Sequence, residues 1–183
     1  MREKVFFIIG LSLIFLMGSC SATKFLVNYA SGDDRKSGKM KDWVYTIERN
    51  SYRVEPLSQD WERVPIEGGD IVFYNPVSDL MLTVSSLCTD RDYDLQTLSD
   101  SLVVGLGKKR IKVRKDIEVD GAVGLYTEYE ASLSDENFAL ATVVHKSPKC
   151  DYDFSYSAGP ADFKANLGEF IDFVSGFGEI WAK

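Results

Sequence analysis

The feature that most narrows the fold is a two-residue alternation that runs from Arg110 to Glu130 and reverses at Asp120-Gly121. Ile111, Val113, Ile117 and Val119 share one parity, while Arg110, Lys112 and Arg114 share the other. Successive side chains of a strand point to opposite faces, so this pattern specifies a strand with one face in a core and one in water. Asp-Gly tolerates the positive φ that a two-residue hairpin turn demands, and Val123 to Glu130 returns as the partner strand. Ser134 to Asn137 turns again, Phe138 to His145 is a third strand, Ser147-Pro148-Lys149 turns once more, and Asp151 to Ser157 completes a four-strand meander.

A meander needs something to rest its apolar face on, and the rest of the chain supplies it. Trp43 to Ile47 and Tyr52 to Val54 alternate β-branched and aromatic residues, with Trp61 in the following connection as a core anchor. After a turn at Gly68-Gly69, Asp70 to Tyr74 reads as a strand ended by Asn75-Pro76, and Met81 to Leu87 reads as its antiparallel partner. Beyond Cys88 the period changes to about 3.6, with Leu95, Leu98, Leu102, Val103 and Leu106 on one stripe. Asp90, Asp92 and Asp94 stand where carboxylates cap free amides, and Gly105, Gly107 and Lys108-Lys109-Arg110 mark the end. The spacing predicts a helix of about 12 residues. Gly159-Pro160 launches a last helix, proline taking the first helical position, with Phe163, Leu167, Phe170, Ile171, Val174 and Phe177 facing a sheet. Together these elements predict an α+β domain, an antiparallel sheet with helices packed on it.

The first twenty residues belong to no such domain. Arg2 and Lys4 precede an apolar run from Val5 to Met17, which closes on Gly18-Ser19-Cys20. The run is short of the roughly 20 residues that a bilayer span needs. The order of basic, apolar and small residues, with Met17-Gly18-Ser19-Cys20 as a lipobox, resembles a bacterial lipoprotein signal. It departs from the usual pattern only in having Met17 where leucine is common. That resemblance implies cleavage before Cys20, a diacylglycerol on its sulfur and an acyl chain such as palmitate on its amine, enough for stable anchoring. It divides the chain into a signal peptide (1–19), a lipidated cysteine with a flexible, polar tether (20–41) and a domain (42–183). It places the domain on the periplasmic side of an envelope membrane. Ser21, not Asp, after the cysteine favours the outer membrane in a Gram-negative cell.

Cleavage would remove Arg2, Lys4 and Glu3, moving the net charge from −7 to −8. Such acidity argues against nucleic acid and against a polybasic hold on lipid headgroups. With Cys20 set aside, Cys88 and Cys150 are an even pair for an oxidising compartment, either bridged or buried separately.

The order of elements from Tyr45 to Phe177 resembles the PsbP family of the photosynthetic oxygen-evolving complex. The likeness rests on Tyr45-Thr46-Ile47, on Asp70 to Tyr74 with Leu82-Thr83-Val84-Ser85, and on the Leu95, Leu98 and Leu102 helix. It continues in Val119-Asp120-Gly121, Tyr152 to Tyr156, and Pro160 with Phe163, Phe170 and Phe177. The resemblance implies an α/β/α sandwich, and lipid anchoring is found among its cyanobacterial members. It brings no functional motif that can be matched residue by residue.

Motifs for chemistry are weak. His145, the single histidine, is expected at the surface or rim, outside any triad or zinc set. Asp90 to Asp94 begins like a calcium loop but has Leu95 and Ser101 where glycine and glutamate are required. Gly105 to Lys109 ends a helix instead of opening one, so it is no phosphate loop. No catalytic, metal or cofactor residues are assigned. Lys108, Lys109, Arg110, Lys112, Arg114 and Lys115 form a cationic run on an acidic protein, either a solvated strand face or a docking site for an acidic partner. The expected function is a noncatalytic, lipid-anchored module that binds or helps assemble an envelope protein complex. Alternatives are a binding protein for a small apolar or lipidic ligand, which needs a pocket between sheet and helix, and, least favoured, a hydrolase.

Overall fold

The computed structural model describes residues 38–47, 50–65, 70–88, 92–133 and 136–180. The signal, Cys20, nearly all of the tether, the Gly68-Gly69 turn, Asp90, Ser134 and Trp181 lie outside the described residues. The strands are β1 (Lys39–Lys41), β2 (Val44–Ile47), β3 (Asn50–Arg53), β4 (Glu62–Val64), β5 (Ile71–Asn75), β6 (Leu80–Leu87), β7 (Lys109–Val119), β8 (Ala122–Leu133), β9 (Glu136–Lys146), β10 (Asp151–Ala158) and β11 (Gly178–Glu179). The helices are α1 (Leu95–Ser101) and α2 (Phe163–Ser175). A seven-stranded sheet has the order β4-β5-β6-β10-β9-β8-β7, and a small sheet has the order β1-β2-β3-β11. The fold is the expected α+β class. The meander β7 to β10 and the hairpin β5–β6 are present, joined where β10 pairs antiparallel with β6.

Register assigns the faces. β10 turns Tyr152, Phe154, Tyr156 and Ala158 to one side, beside Val143 and Ala141 of β9 and Val84 and Leu82 of β6. That side forms the main core with Tyr45 and Tyr52 of the small sheet and with Phe163, Phe170, Phe173 and Val174 of α2. The opposite side, near α1, carries a smaller cluster of Val72, Met81, Val103, Leu106, Tyr129, Ala131, Phe138 and Leu140. Trp61 is 8% exposed, as an anchor should be, and its Nε1 donates to Glu169 Oε2 of α2 at 2.8 Å.

The Asp120-Gly121 turn has φ of 49° and 73°, the conformation its residues foretell. Other local expectations need correction. α1 has 7 residues, not about 12. Asp94 caps it, accepting from Thr97 N at 2.8 Å, but after Ser101 the chain breaks into turns in which Val104 N donates to Ser101 O and Leu106 N to Val103 O. The apolar stripe survives without the helix, since Leu102, Val103 and Leu106 remain buried. Pro160 is not the first helical residue. It stands in a turn where Asp162 N and Phe163 N both donate to Gly159 O, and α2 starts at Phe163. The domain begins before residue 42, because β1 pairs with β2, Met40 packs on the core and Gly38 N donates to Tyr45 Oη at 2.8 Å.

The expected parity of β7 is also broken. Ile111 pairs with Tyr129 and Val113 with Glu128, so Lys112 is an extra residue in a β-bulge. The bulge moves Ile111 to the α1 side, where it is 48% exposed, while Val113 and Ile117 pack on the main core.

Candidate functional site

β7 is an edge strand of the large sheet, and the six cations of the sequence run stand on it or at its start. The bulge distributes them over both faces. On the α1 side, Lys109 Nζ donates to Val103 O at 3.0 Å, and Arg114 pairs with Asp100 while also donating to Tyr129 Oη at 3.2 Å. On the α2 side, Arg110 and Lys112 share Glu130, and Lys115 Nζ lies 5.4 Å from the centre of the Tyr126 ring. Both cations hold the Glu130 carboxyl below its ordinary pKa. Among the described residues Lys108 has no ion-pair partner. The run is therefore not one continuous cationic stripe.

Three of its members do converge. Lys108, Lys109 and Arg110 border a cleft of about 440 Å³ at the end of β7, β8 and β9. Ser132 and Asn137, paired across the β8–β9 hairpin, form part of its wall, and Pro160 stands opposite at the entry to α2. Glu130, Ala131, Phe138 and Ala139 complete the lining, and of the three apolar residues Ala139 belongs to the α2 side. The size is that of a ligand site, and the chemistry is apolar contact with three cations, the Glu130 carboxylate and the Asn137 amide at its border. Ser132, Asn137 and Pro160 have no spacing that marks them in the sequence, since only strand pairing brings them together. Beside the cleft, Lys164 Nζ of α2 lies 2.7 Å from Glu128 Oε2, and Tyr126 Oη donates to Glu128 Oε1 at 2.8 Å.

The interior between sheet and α2 is filled. Phe177 stands 4.7 Å from Tyr152 and 5.2 Å from Phe154, and Tyr156 stacks on Phe170 at 5.5 Å, measured between ring centres. The cleft lies at the sheet edge, not between sheet and α2 where the small-ligand alternative would need its pocket.

The remaining candidates resolve individually. His145 is buried, 2% exposed, against Tyr152 and Phe177, not at the surface or rim as expected. It lies on the core side of β9 in step with Val143 and Ala141. Burial lowers its pKa, opposed by Asp120. Cys88 and Cys150 are joined in a disulfide that extends the β6–β10 register by one pair beyond Leu87 and Asp151. Asp92 pairs with Lys146, and Asp94 is committed to its cap. Among the described residues no group of three or more histidine, cysteine, aspartate or glutamate side chains is placed to hold a metal ion. None of their helices is long and apolar enough to cross a membrane.

No protein-family model matches the chain, and no curated protein matches it by sequence. Solved structures do match it. Cyanobacterial PsbP (CyanoP) from Synechocystis sp. PCC 6803 is 17% identical with a TM-score of 0.52, over 78% of this chain and 89% of that one. LpqN, involved in cell envelope biogenesis of Mycobacterium tuberculosis, is 13% identical with a TM-score of 0.51, over 72% and 86%. The Saccharomyces cerevisiae Ran-binding protein Mog1p is 9% identical with a TM-score of 0.53, over 77% and 94%. At such identities the likeness is one of fold, and function must be argued from the site. The chain has a PsbP-like α+β fold.

Proposed function

We propose that the chain is a noncatalytic module of the cell envelope, held to a membrane by lipid on Cys20 and facing the periplasm, where it binds or helps assemble a protein complex. The observation that carries this reading is the lipobox Met17-Gly18-Ser19-Cys20 behind a short apolar run, placed ahead of a domain that begins by Gly38. The fold likeness to LpqN, described as involved in envelope biogenesis, and to Mog1p, described as a Ran-binding protein, supports an envelope setting and a binding role. Aromatic packing between sheet and α2, and a cleft at the sheet edge bordered by cations, favour a macromolecular partner over a small apolar ligand.

Cys20→Ala tests the anchor. In cells fed a clickable palmitate analogue, wild type takes the label and sediments with membranes, while the variant loses both. An unlabelled wild type whose Cys20→Ala form still sediments with membranes overturns the reading. Crosslinking of the anchored protein in its native envelope tests the partner, and a reproducible neighbour is the expected result.

A further inference from the structure

We infer that the cleft at the entry to α2 receives an acidic, extended segment of a protein partner, one apolar side chain of which enters the cavity. This deepens the function proposed above and rests on it. The argument is one of charge and shape. The whole chain carries a net charge of −7, so an acidic ligand is repelled from most of its surface. The sheet edge beside the cleft is the local exception. Among the described residues, Arg110, Lys112, Lys115 and Lys164 gather there about Glu128 and Glu130, with Glu136 next along β9 from Asn137. The Arg110 and Lys164 side chains are 69% and 67% exposed, and Lys108 at the mouth is exposed with no ion-pair partner among the described residues.

Cations left accessible on an acidic protein steer an oppositely charged partner to one place and orient it. The cavity supplies the second element, apolar surface from Ala139 and Pro160 in a concavity of about 440 Å³, room for one large side chain. Asn137, exposed at the cleft wall, can hydrogen-bond an extended backbone. A flat anionic bilayer fits less well, since it would meet the acidic remainder of the protein and leave the concavity empty.

The test uses the full-length lipidated protein in nanodiscs of zwitterionic lipid and a fluorescein-labelled Glu-Glu-Phe-Glu-Glu peptide, read by anisotropy. The peptide is expected to bind, more weakly as salt rises, while its lysine counterpart does not. Lys108→Glu is expected to weaken binding about tenfold, a change of about 1.4 kcal/mol, with an unchanged thermal midpoint. Asn137→Asp, on another part of the wall, is expected to weaken it in the same direction, as is replacing the peptide phenylalanine with serine. Equal binding by wild type and both variants overturns the assignment. So does a Lys108-dependent affinity for phosphatidylglycerol vesicles without one for the peptide, which would make the cleft a membrane contact. If Lys108→Glu keeps every envelope crosslink of wild type, the cleft is not the docking site and the module reading stands. If peptide binding depends on Lys108 but wild type yields no crosslinked neighbour, the cleft chemistry stands and the module reading fails.

Discussion

The two faces of the seven-stranded sheet are built from opposite chemistries. Toward α2, β10 presents Tyr152, Phe154 and Tyr156, and toward α1 the same strand presents Asp151, Asp153, Ser155 and Ser157. The first face is closed by aromatic rings from α2, the small sheet and Phe177. The second is closed by hydroxyl contacts, with Ser99 Oγ 3.2 Å from Thr127 Oγ1 and 3.3 Å from Tyr129 Oη, beside a modest apolar cluster. Its polar groups are not all satisfied: among the described residues Thr142 Oγ1, Asp151 Oδ2 and Asp153 Oδ1 are enclosed without a hydrogen-bond partner. Apolar burial gains free energy in proportion to area, whereas an unpaired buried polar atom costs it. The aromatic face therefore contributes more to stability, and on the α1 face the unpartnered polar atoms offset part of what its smaller apolar cluster contributes.

Substitutions in the two clusters test this division most sharply. Phe170→Ala removes a ring that is 0% exposed and stacked on Tyr156, and is expected to cost about 3–5 kcal/mol in urea unfolding. Leu106→Ala in the α1-side cluster is expected to cost about 2 kcal/mol, the low end for such a truncation; equal losses would dissolve the contrast. Comparable in size to the Phe170 loss is the double change Cys88→Ser and Cys150→Ser, which opens a cross-link between residues 62 apart. Loop entropy sets its cost at up to about 4 kcal/mol, read as a fall in the thermal midpoint; an unchanged midpoint would show that burial alone secures the aromatic face.

The last effect should have the opposite sign. Burial first, then Asp151 and Asp70, push the Asp153 carboxyl from its ordinary 3.8 up to about 7. The folded state thus holds a proton that the unfolded state has released. That contribution is complete below the ordinary pKa and is lost as pH rises through about 7. Asp153→Asn is expected to stabilise the domain by on the order of 2 kcal/mol at pH 8 and by much less at pH 5. A loss at pH 8 would mean that the carboxylate is satisfied, and that this face is no weaker than the other.

How much of this was legible in the sequence depended on element length and on how many faces are buried. Asp120-Gly121, the Asp94 cap and the β7–β10 meander were legible because each has a local signature in residue type or period. β4 and β11, of 3 and 2 residues, are too short to show any period. The bulge at Lys112 was hidden because an inserted residue changes register without changing composition. His145 was misplaced because β9 is buried on both faces along most of its length, which removes the alternation that would have put it in step with Val143. Of the candidate site, the cations were visible as a run. Their division between two faces, and the cleft walls Ser132 and Asn137, arise only from pairing across strands.

The disulfide has unequal ends. Cys150 belongs to the main core at 5% exposure, whereas Cys88, one step beyond β6, is open to solvent. Thiol–disulfide exchange proceeds by attack on the sulfur that a thiolate can reach. An incoming thiol therefore bonds to Cys88 and expels Cys150 as the leaving group at the head of β10. The bridge opens in one direction: the adduct stays on the surface, and the freed thiol stays in the core.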